Sequence, residues 1–281
     1  MRVLIVGAAG QLGQAMVSRL SQTDEVTALT RQDLDLTRFA DVPARIHAIG
    51  PEVVINCSGY NDVDRAQHEQ EAALNANAFA VRALARAAAE LDAMLVHYST
   101  DFVFSGTATA PYTEFDRPEP QSVYAQSKLV GEWMAADAPQ HYVLRVESLF
   151  GGPKRRSSID RIADGLRAGG PAPVFVDRVV SPSFVSDVVD ATAHLVRMRP
   201  AYGIYHCVNT GHATWFDVGR EIARVLGTSE DVLKPVRVSE VALAAPRPQF
   251  AALSNGKLAG AGFTMPSWQD AIARYLSGNA A

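Results

Sequence analysis

The 281-residue chain has only two cysteines, Cys57 and Cys207. They lie far apart in apolar stretches, which excludes a disulfide framework and points to two small buried thiols. An excess of one charge is also missing: 26 Lys and Arg against 30 Asp and Glu leave a net charge of −4. That balance offers no electrostatic footprint for nucleic acid or an anionic membrane. No apolar run approaches the ~20 residues needed to span a bilayer. Met1 leads directly into a strand and leaves no room for a signal peptide, so the expected location is the cytoplasm. The seven histidines show no HExxH-type pairing, so no protein metal site is expected. Repeats and low-complexity tracts are absent too. What is present is ordinary globular composition, 48% hydrophobic and 20% charged, ample for a large core.

The chain begins with a short β-branched run, Arg2 to Val6, the pattern of a buried strand. It feeds Gly7-Ala8-Ala9-Gly10-Gln11-Leu12-Gly13 and then a helical pattern from Gln14 to Leu20. Strand, GxxGxxG and helix together suggest a dinucleotide site. The glycines permit a tight turn and close backbone approach, and the helix N-terminus faces the pyrophosphate. A second strand, Val26 to Leu29, ends in Thr30-Arg31. An NAD site usually carries an acid there to bind ribose, whereas Arg31 suits a 2′-phosphate, so NADPH is the expected cofactor. Asp33 and Asp35 follow at once and keep NADH possible, and Asp35-Leu36 is expected to pass under the adenine.

Glu52 to Asn56 reads as a third buried strand, with Cys57-Ser58-Gly59 at its carboxyl end. A long alanine-rich helix is expected from about Glu69 to Leu91, with Asn77 either a satisfied mid-helix amide or a site residue. Ala93 to Tyr98 is the next strand, and it runs into Ser99, Thr100 and Asp101. A hydroxyl at Thr100 can bind a substrate carbonyl, and Asp101 can bind a sugar hydroxyl. Tyr124 and Lys128 follow in a helical segment, Ser122 to Met134, and i,i+4 spacing sets them on one face. A cation beside a phenol favours phenolate, so Lys128 is expected to lower the Tyr124 pKa from ~10 toward neutrality. YxxxK alone is weak, but with Ser99 and Thr100 it forms a proton-transfer constellation.

Further on, His141 to Val146 is a strand, and Gly151-Gly152-Pro153-Lys154-Arg155-Arg156 is a basic loop. That loop is either a diphosphate clamp or a solvated surface. Helix Ile159 to Ala168, strand Val174 to Val176, helix Val185 to Met198 and strand Ile204 to Val208 complete the alternation. The fold class is therefore α/β, a doubly wound, mainly parallel Rossmann-type sheet with a smaller C-terminal substrate lobe. The expected division places 1–150 and about 174–208 in the dinucleotide-binding domain. About 151–173 and 209–281 then form the substrate-binding lobe.

These motifs resemble the extended short-chain dehydrogenases/reductases, and within them the dTDP-4-dehydrorhamnose reductase family. The matching stretches are GAAGQLG, PEVVINCSGYNDVDRAQHE, HYSTDFVFSG, YTEFDRPEPQSVYAQSKLVGE and LSNGKLAGAGFTMPSWQDAIARYL, so the similarity runs along the whole chain. It implies NAD(P)H-dependent reduction of a 4-keto-6-deoxy nucleotide sugar. Thr100, Tyr124 and Lys128 match its catalytic positions; Gly10 to Leu12, Cys57 to Gly59 and Tyr98 match cofactor contacts; Thr100 and Asp101 match substrate contacts. Two departures stand out. The family's Arg-Thr-Ser-Trp reads Arg145-Val146-Glu147-Ser148 here, so Ser148 replaces the tryptophan at the sugar and Glu147 adds a carboxylate beside it. Where some members carry glutamates of a magnesium-bridged dimer, this chain has Ala15 and Ser186, so a monomer or weak homodimer is expected. Three other readings stay open: a reductase or epimerase for another keto sugar, a non-catalytic NADP-binding regulatory homologue, and a dehydratase. The last wants a carboxylate pair beside the threonine, and Asp101 is followed by Phe102.

Overall fold

The computed structural model describes residues 1–153 and 155–278. Six parallel strands form the central sheet: β1 (Arg2–Val6), β2 (Glu25–Leu29), β3 (Val53–Asn56), β4 (Met94–Thr100), β5 (His141–Val146) and β6 (Gly203–His206). Their order across the sheet is β6-β5-β4-β3-β1-β2. Parallel strands need helical crossovers that cover both faces, which is why these segments read as unbroken apolar runs. Alternation along each strand divides the core in two. Val3, Ile5, Val53, Ile55 and Val96 pack on one face with Leu12 and Met16 of the Gln11–Leu20 helix and Val188 of the Val185–Met198 helix. Leu4, Val6, Val54 and Leu95 pack on the other with Ile46, Val81 and Leu84.

The strand order reverses between β1 and β3, because the chain goes from β1 outward to β2 and then returns to the far side. A crevice opens at the carboxyl edge of such a switch point, and it is where open α/β sheets bind ligands.

A third core, with Phe150, Ile162, Phe184, Trp215, Ile222, Trp268 and Ile272, holds the C-terminal lobe together. Here one expectation needs correcting. The strand expected at 174–176 does not continue the main sheet: Ala172–Phe175 pairs in parallel with Leu233–Val236 as a separate two-stranded sheet. A local apolar run carries no information about its pairing partner, and this one is claimed by the lobe. The helix expected from Glu69 to Leu91 is also interrupted. Gln70–Leu74 and Ala80–Glu90 are α-helical, with a π-helical turn at Asn75–Phe79 between them. Among the described residues, no helix is long and apolar enough to cross a membrane.

Candidate active site

At the switch point, Gly7 follows β1 with φ +73°, and a Cβ there would lie 2.6 Å from the Ser58 nitrogen. The turns after β1 and β3 are therefore in backbone contact, and only glycine fits. Beside them lies a cavity of about 740 Å³, lined among others by Gly7, Gly10, Arg31, Asp35, Leu36, Cys57, Ser58 and Gly59. The Gln11–Leu20 helix starts at this cavity with Gly10 as its N-cap and no side-chain cap. Its first N–H groups therefore remain free for an anion, as a dinucleotide pyrophosphate requires. The Gln11 side-chain nitrogen is buried without a partner, pressed toward Gly152. Leu12 and Gly13 are buried in the packing behind the turn. The glycine cradle, free helix end and orphan amide fit a dinucleotide. At the adenine end the Arg31 side chain is 82% exposed and lies 3.5 Å from Asp35. The Asp35 carboxylate accepts from the Thr37 N–H and hydroxyl and is held below the usual carboxylate range by those bonds.

Thr100 ends β4, and the Val123–Ala135 helix starts beside it, N-capped by Ser122, whose hydroxyl accepts from the Ala125 N–H. Thr100, Tyr124 and Lys128 are all buried and clustered, but they do not line the 740 Å³ cavity itself. The link between them runs through Asn77 in the π-helical turn. Its amide oxygen accepts from the Tyr60 N–H, and its amide nitrogen donates to the Ser127 hydroxyl. The Asn77 amide thus joins the cavity wall to the Tyr124 helix, as π turns at functional sites often do.

The electrostatics differ from the expectation for YxxxK. The Lys128 ammonium donates to the Tyr98 carbonyl at 2.5 Å, and burial pushes its pKa down to about 8 against the opposing Glu132 charge. Burial raises the Tyr124 phenol, with Thr100 lowering it and Asp101 raising it further. Desolvation therefore leads at Tyr124 and raises its phenol, away from the neutrality expected of YxxxK. Tyr98 contributes its carbonyl, while its hydroxyl pairs with Thr192 inside the core. Ser99 donates to Glu132, which forms a fully buried ion pair with Arg145 at 2.7 Å.

Asp101 and Glu147 were expected to face the sugar. The structure turns both inward, each 2% exposed. Asp101 accepts from the Thr100 hydroxyl at 2.8 Å, and Glu147 accepts from the Ser181 N–H at 2.5 Å. Glu147 is thus drawn toward the lobe's backbone and away from any open wall. Ser148, with φ +46°, is half-buried where the chain leaves β5. Of the basic loop, Lys154 lies outside the described residues. Arg155 is exposed and paired with Asp164 at 2.9 Å, and Arg156 is exposed. Cys57 lies at the cavity, half-buried, with its thiol pKa raised by burial, and Cys207 is fully buried with a thiol pushed up to about 12 by burial. Three residues that the sequence did not single out complete the site: Asp64, Arg178 and Arg247. Arg247 pairs with Asp64 at 2.7 Å and lies over the Phe102 ring, which meets Tyr124 edge-on.

Comparison with known proteins gives the same grouping. The RmlD substrate binding domain family matches residues 1–280. The chain belongs to that family. Among relatives of this RmlD-family protein, a probable dTDP-4,6-dihydroxy-2-methyloxan-3-one 4-ketoreductase of Streptomyces antibioticus is 36% identical, over 97% of this chain and 93% of its own. The dTDP-4-dehydrorhamnose reductase of Mycolicibacterium smegmatis is 33% identical, over 96% of this chain and 84% of its own. A solved dTDP-4-dehydrorhamnose reductase of Bacillus anthracis, in complex with NADP, superposes with a TM-score of 0.93 at 30% identity, covering 99% of both chains. The RmlD-family chain thus has the extended short-chain reductase fold throughout.

Proposed function

We propose that this protein reduces the 4-keto group of a 4-keto-6-deoxy nucleotide sugar with NAD(P)H, preferring NADPH, as its dTDP-4-dehydrorhamnose reductase relatives are named to do. The observation that carries the reading is a buried Thr100-Tyr124-Lys128 cluster one amide away from a dinucleotide-shaped cavity. Gly7, Gly10, Gln11 and the free helix end would hold the pyrophosphate of a bound dinucleotide, and Arg31 its 2′-phosphate. The dinucleotide would supply the hydride. Thr100 and Tyr124 orient the keto oxygen. Tyr124, kept protonated by burial, gives it a proton as general acid. Lys128 holds the cofactor's ribose end of the site and anchors the helix through Tyr98. The product is a 4-hydroxy nucleotide sugar.

The chain works in the cytoplasm as a monomer or weak homodimer. Ala15 and Ser186 bring no carboxylate to the two helices that carry them, so a magnesium-bridged dimer is not built from those positions. A second reading, a different keto sugar of the same class, is favoured by Ser148 in place of an aromatic wall. The Streptomyces antibioticus relative, named for another dTDP-linked ketone, supports it.

The test is NADPH oxidation against a panel of dTDP-, UDP- and GDP-4-keto sugars. Tyr124→Phe keeps the ring and removes the donor, so kcat should fall by ~10²–10⁴-fold with cofactor binding retained. Turnover by that variant close to the parent's would sink the assignment.

A further inference from the structure

We infer that His97 and Asn56 are positioning residues for the dinucleotide: together they fix the Ser58 hydroxyl as a hydrogen-bond acceptor for a ribose hydroxyl. Their role rests on the dinucleotide reading above and extends it to two residues buried in the sheet behind the cavity.

Each bond in this arrangement has only one possible direction. Asn56 ends β3, and Ser58, two residues on, is half-buried in the cavity wall. The Ser58 N–H and O–H both donate to the Asn56 amide oxygen, at 3.0 and 2.6 Å. Only the oxygen of an amide can accept them, so the Asn56 NH2 group faces the other way. There it meets Nδ1 of His97, its register partner on β4, at 3.1 Å. The NH2 group can only donate, so Nδ1 carries no proton and the His97 proton sits on Nε2.

The imidazole is held in that state from its far side too. Asn56 and His97 are both fully buried. His97 Nε2 is buried without a partner, and a Cβ at Gly131 on the Tyr124 helix would lie 3.3 Å from it. The helix thus closes the space into which the ring could turn. Burial, and after it the Lys128 charge, push the imidazole pKa well below its ordinary value, which keeps the ring neutral.

The consequence lies at Ser58. With its proton spent on Asn56, Oγ offers lone pairs only. Phosphate oxygens are acceptors as well, and they are served by the free N–H groups of the Gln11–Leu20 helix. The donors that a dinucleotide can bring are its ribose hydroxyls and its carboxamide N–H. Ser58 backs directly onto the Gly7 turn, the turn that takes the pyrophosphate, and ribose is the group joined to each phosphate. A ribose hydroxyl is therefore the partner. Without an acceptor at position 97 the Asn56 amide is free to turn, and the Ser58 hydroxyl is released to donate outward, the wrong sense for a phosphate-flanked ribose.

Two measurements test this. Nitrogen NMR of the histidine-labelled, ligand-free protein at neutral pH should show His97 locked as the Nε2–H tautomer, its signals assigned by their loss in His97→Asn. Titration calorimetry with NADP+ then reads the positioning. Ser58→Ala and His97→Leu should each weaken binding about threefold to tenfold, the range for one neutral hydrogen bond. The double variant should bind no more weakly than His97→Leu alone, because both changes act through one hydroxyl. His97→Asn keeps an acceptor where Nδ1 stood, so its affinity should stay within about twofold of the parent's. An Nδ1–H or doubly protonated His97, or losses that add in the double variant, overturns the proposal. The nicotinic acid analogue of NADP+ lacks the carboxamide N–H, and a Ser58→Ala loss that vanishes with it overturns the assignment to ribose. If the parent binds no NADP+, the dinucleotide reading fails on its own, while the tautomer still decides whether His97 orients Asn56.

Discussion

Arg247 and Asp64 meet at 2.7 Å, with side chains 13% and 43% exposed, and so fasten the proline-rich loop of the C-terminal lobe to the Val63–Ala66 turn. The Ala245 N–H adds a second bond to the same carboxylate. Arg247 also covers Phe102, the ring that touches Tyr124. Arg247→Ala should therefore loosen the roof over the site more than it destabilises the protein. Half-exposed pairs contribute ~0.2–1 kcal/mol, so the melting temperature should drop only slightly. KM for the sugar should rise by up to about fivefold with kcat nearly kept, read by steady-state kinetics.

Arg31 is the residue proposed to choose between the cofactors. Its guanidinium is 82% exposed, so solvent discounts its pairing with a 2′-phosphate. A preference for NADPH of about tenfold in kcat/KM is expected, the low end for a charge-assisted hydrogen bond. Arg31→Ala should erase most of it and leave NADH kinetics unchanged. Equal kcat/KM for both cofactors in the parent would show that Arg31 stays with Asp35.

Lys128 trades stability for chemistry. Its folded pKa of about 8 lies below the ~10.4 of an unfolded lysine. The unfolded chain therefore binds more protons between those values, and stability should rise with pH across that window. At pH 7 the buried cation costs stability. Lys128→Met removes that cost and leaves the Tyr98 carbonyl unpaired, for a net gain of ~1–2 kcal/mol in the ligand-free protein. Denaturation from pH 7 to 10 should show a flatter profile for the variant, while turnover and cofactor affinity both collapse.

The sugar wall is tested at Ser148. Its φ of +46° already lies in the left-handed region, so Ser148→Trp adds an aromatic face at a position whose backbone strain is in place. On dTDP-4-keto-rhamnose the variant should gain about one stacking contact, ~0.5–1.5 kcal/mol in kcat/KM. If the natural sugar is bulkier, the same change should block it. No response on either substrate would mean that this wall does not touch the sugar.

Much of this was legible in the residues. The apolar runs gave all six sheet strands to within two residues, and Val185–Met198 starts and stops where its apolar periodicity does. The glycine turn was legible because its spacing encodes its backbone contact with Ser58. What stayed hidden depends on distant pairing. Ala172–Phe175 looks like any sheet strand until Leu233–Val236 claims it. The π turn at Asn75–Phe79 depends on what Asn77 bonds, which lies on two other segments. The inward turn of Asp101 and Glu147 follows from register between β4 and β5, and register is invisible in either strand alone. Likewise the Tyr124 pKa is set by burial, which YxxxK spacing does not report.

Gly131, two turns along the helix from Tyr124, faces the Asn77 carbonyl so closely that a Cβ there would overlap it. The helix that carries Tyr124 and Lys128 thus meets the widened turn in a backbone-to-backbone fit that leaves no room for a methyl. In a library of random variants, the mouth of the site should accept broad change. A single methyl at position 131, far from any substrate, should tilt the helix and misalign the tyrosine and lysine together. Mechanical tolerance in this enzyme is set at its hinge pin rather than at its blade.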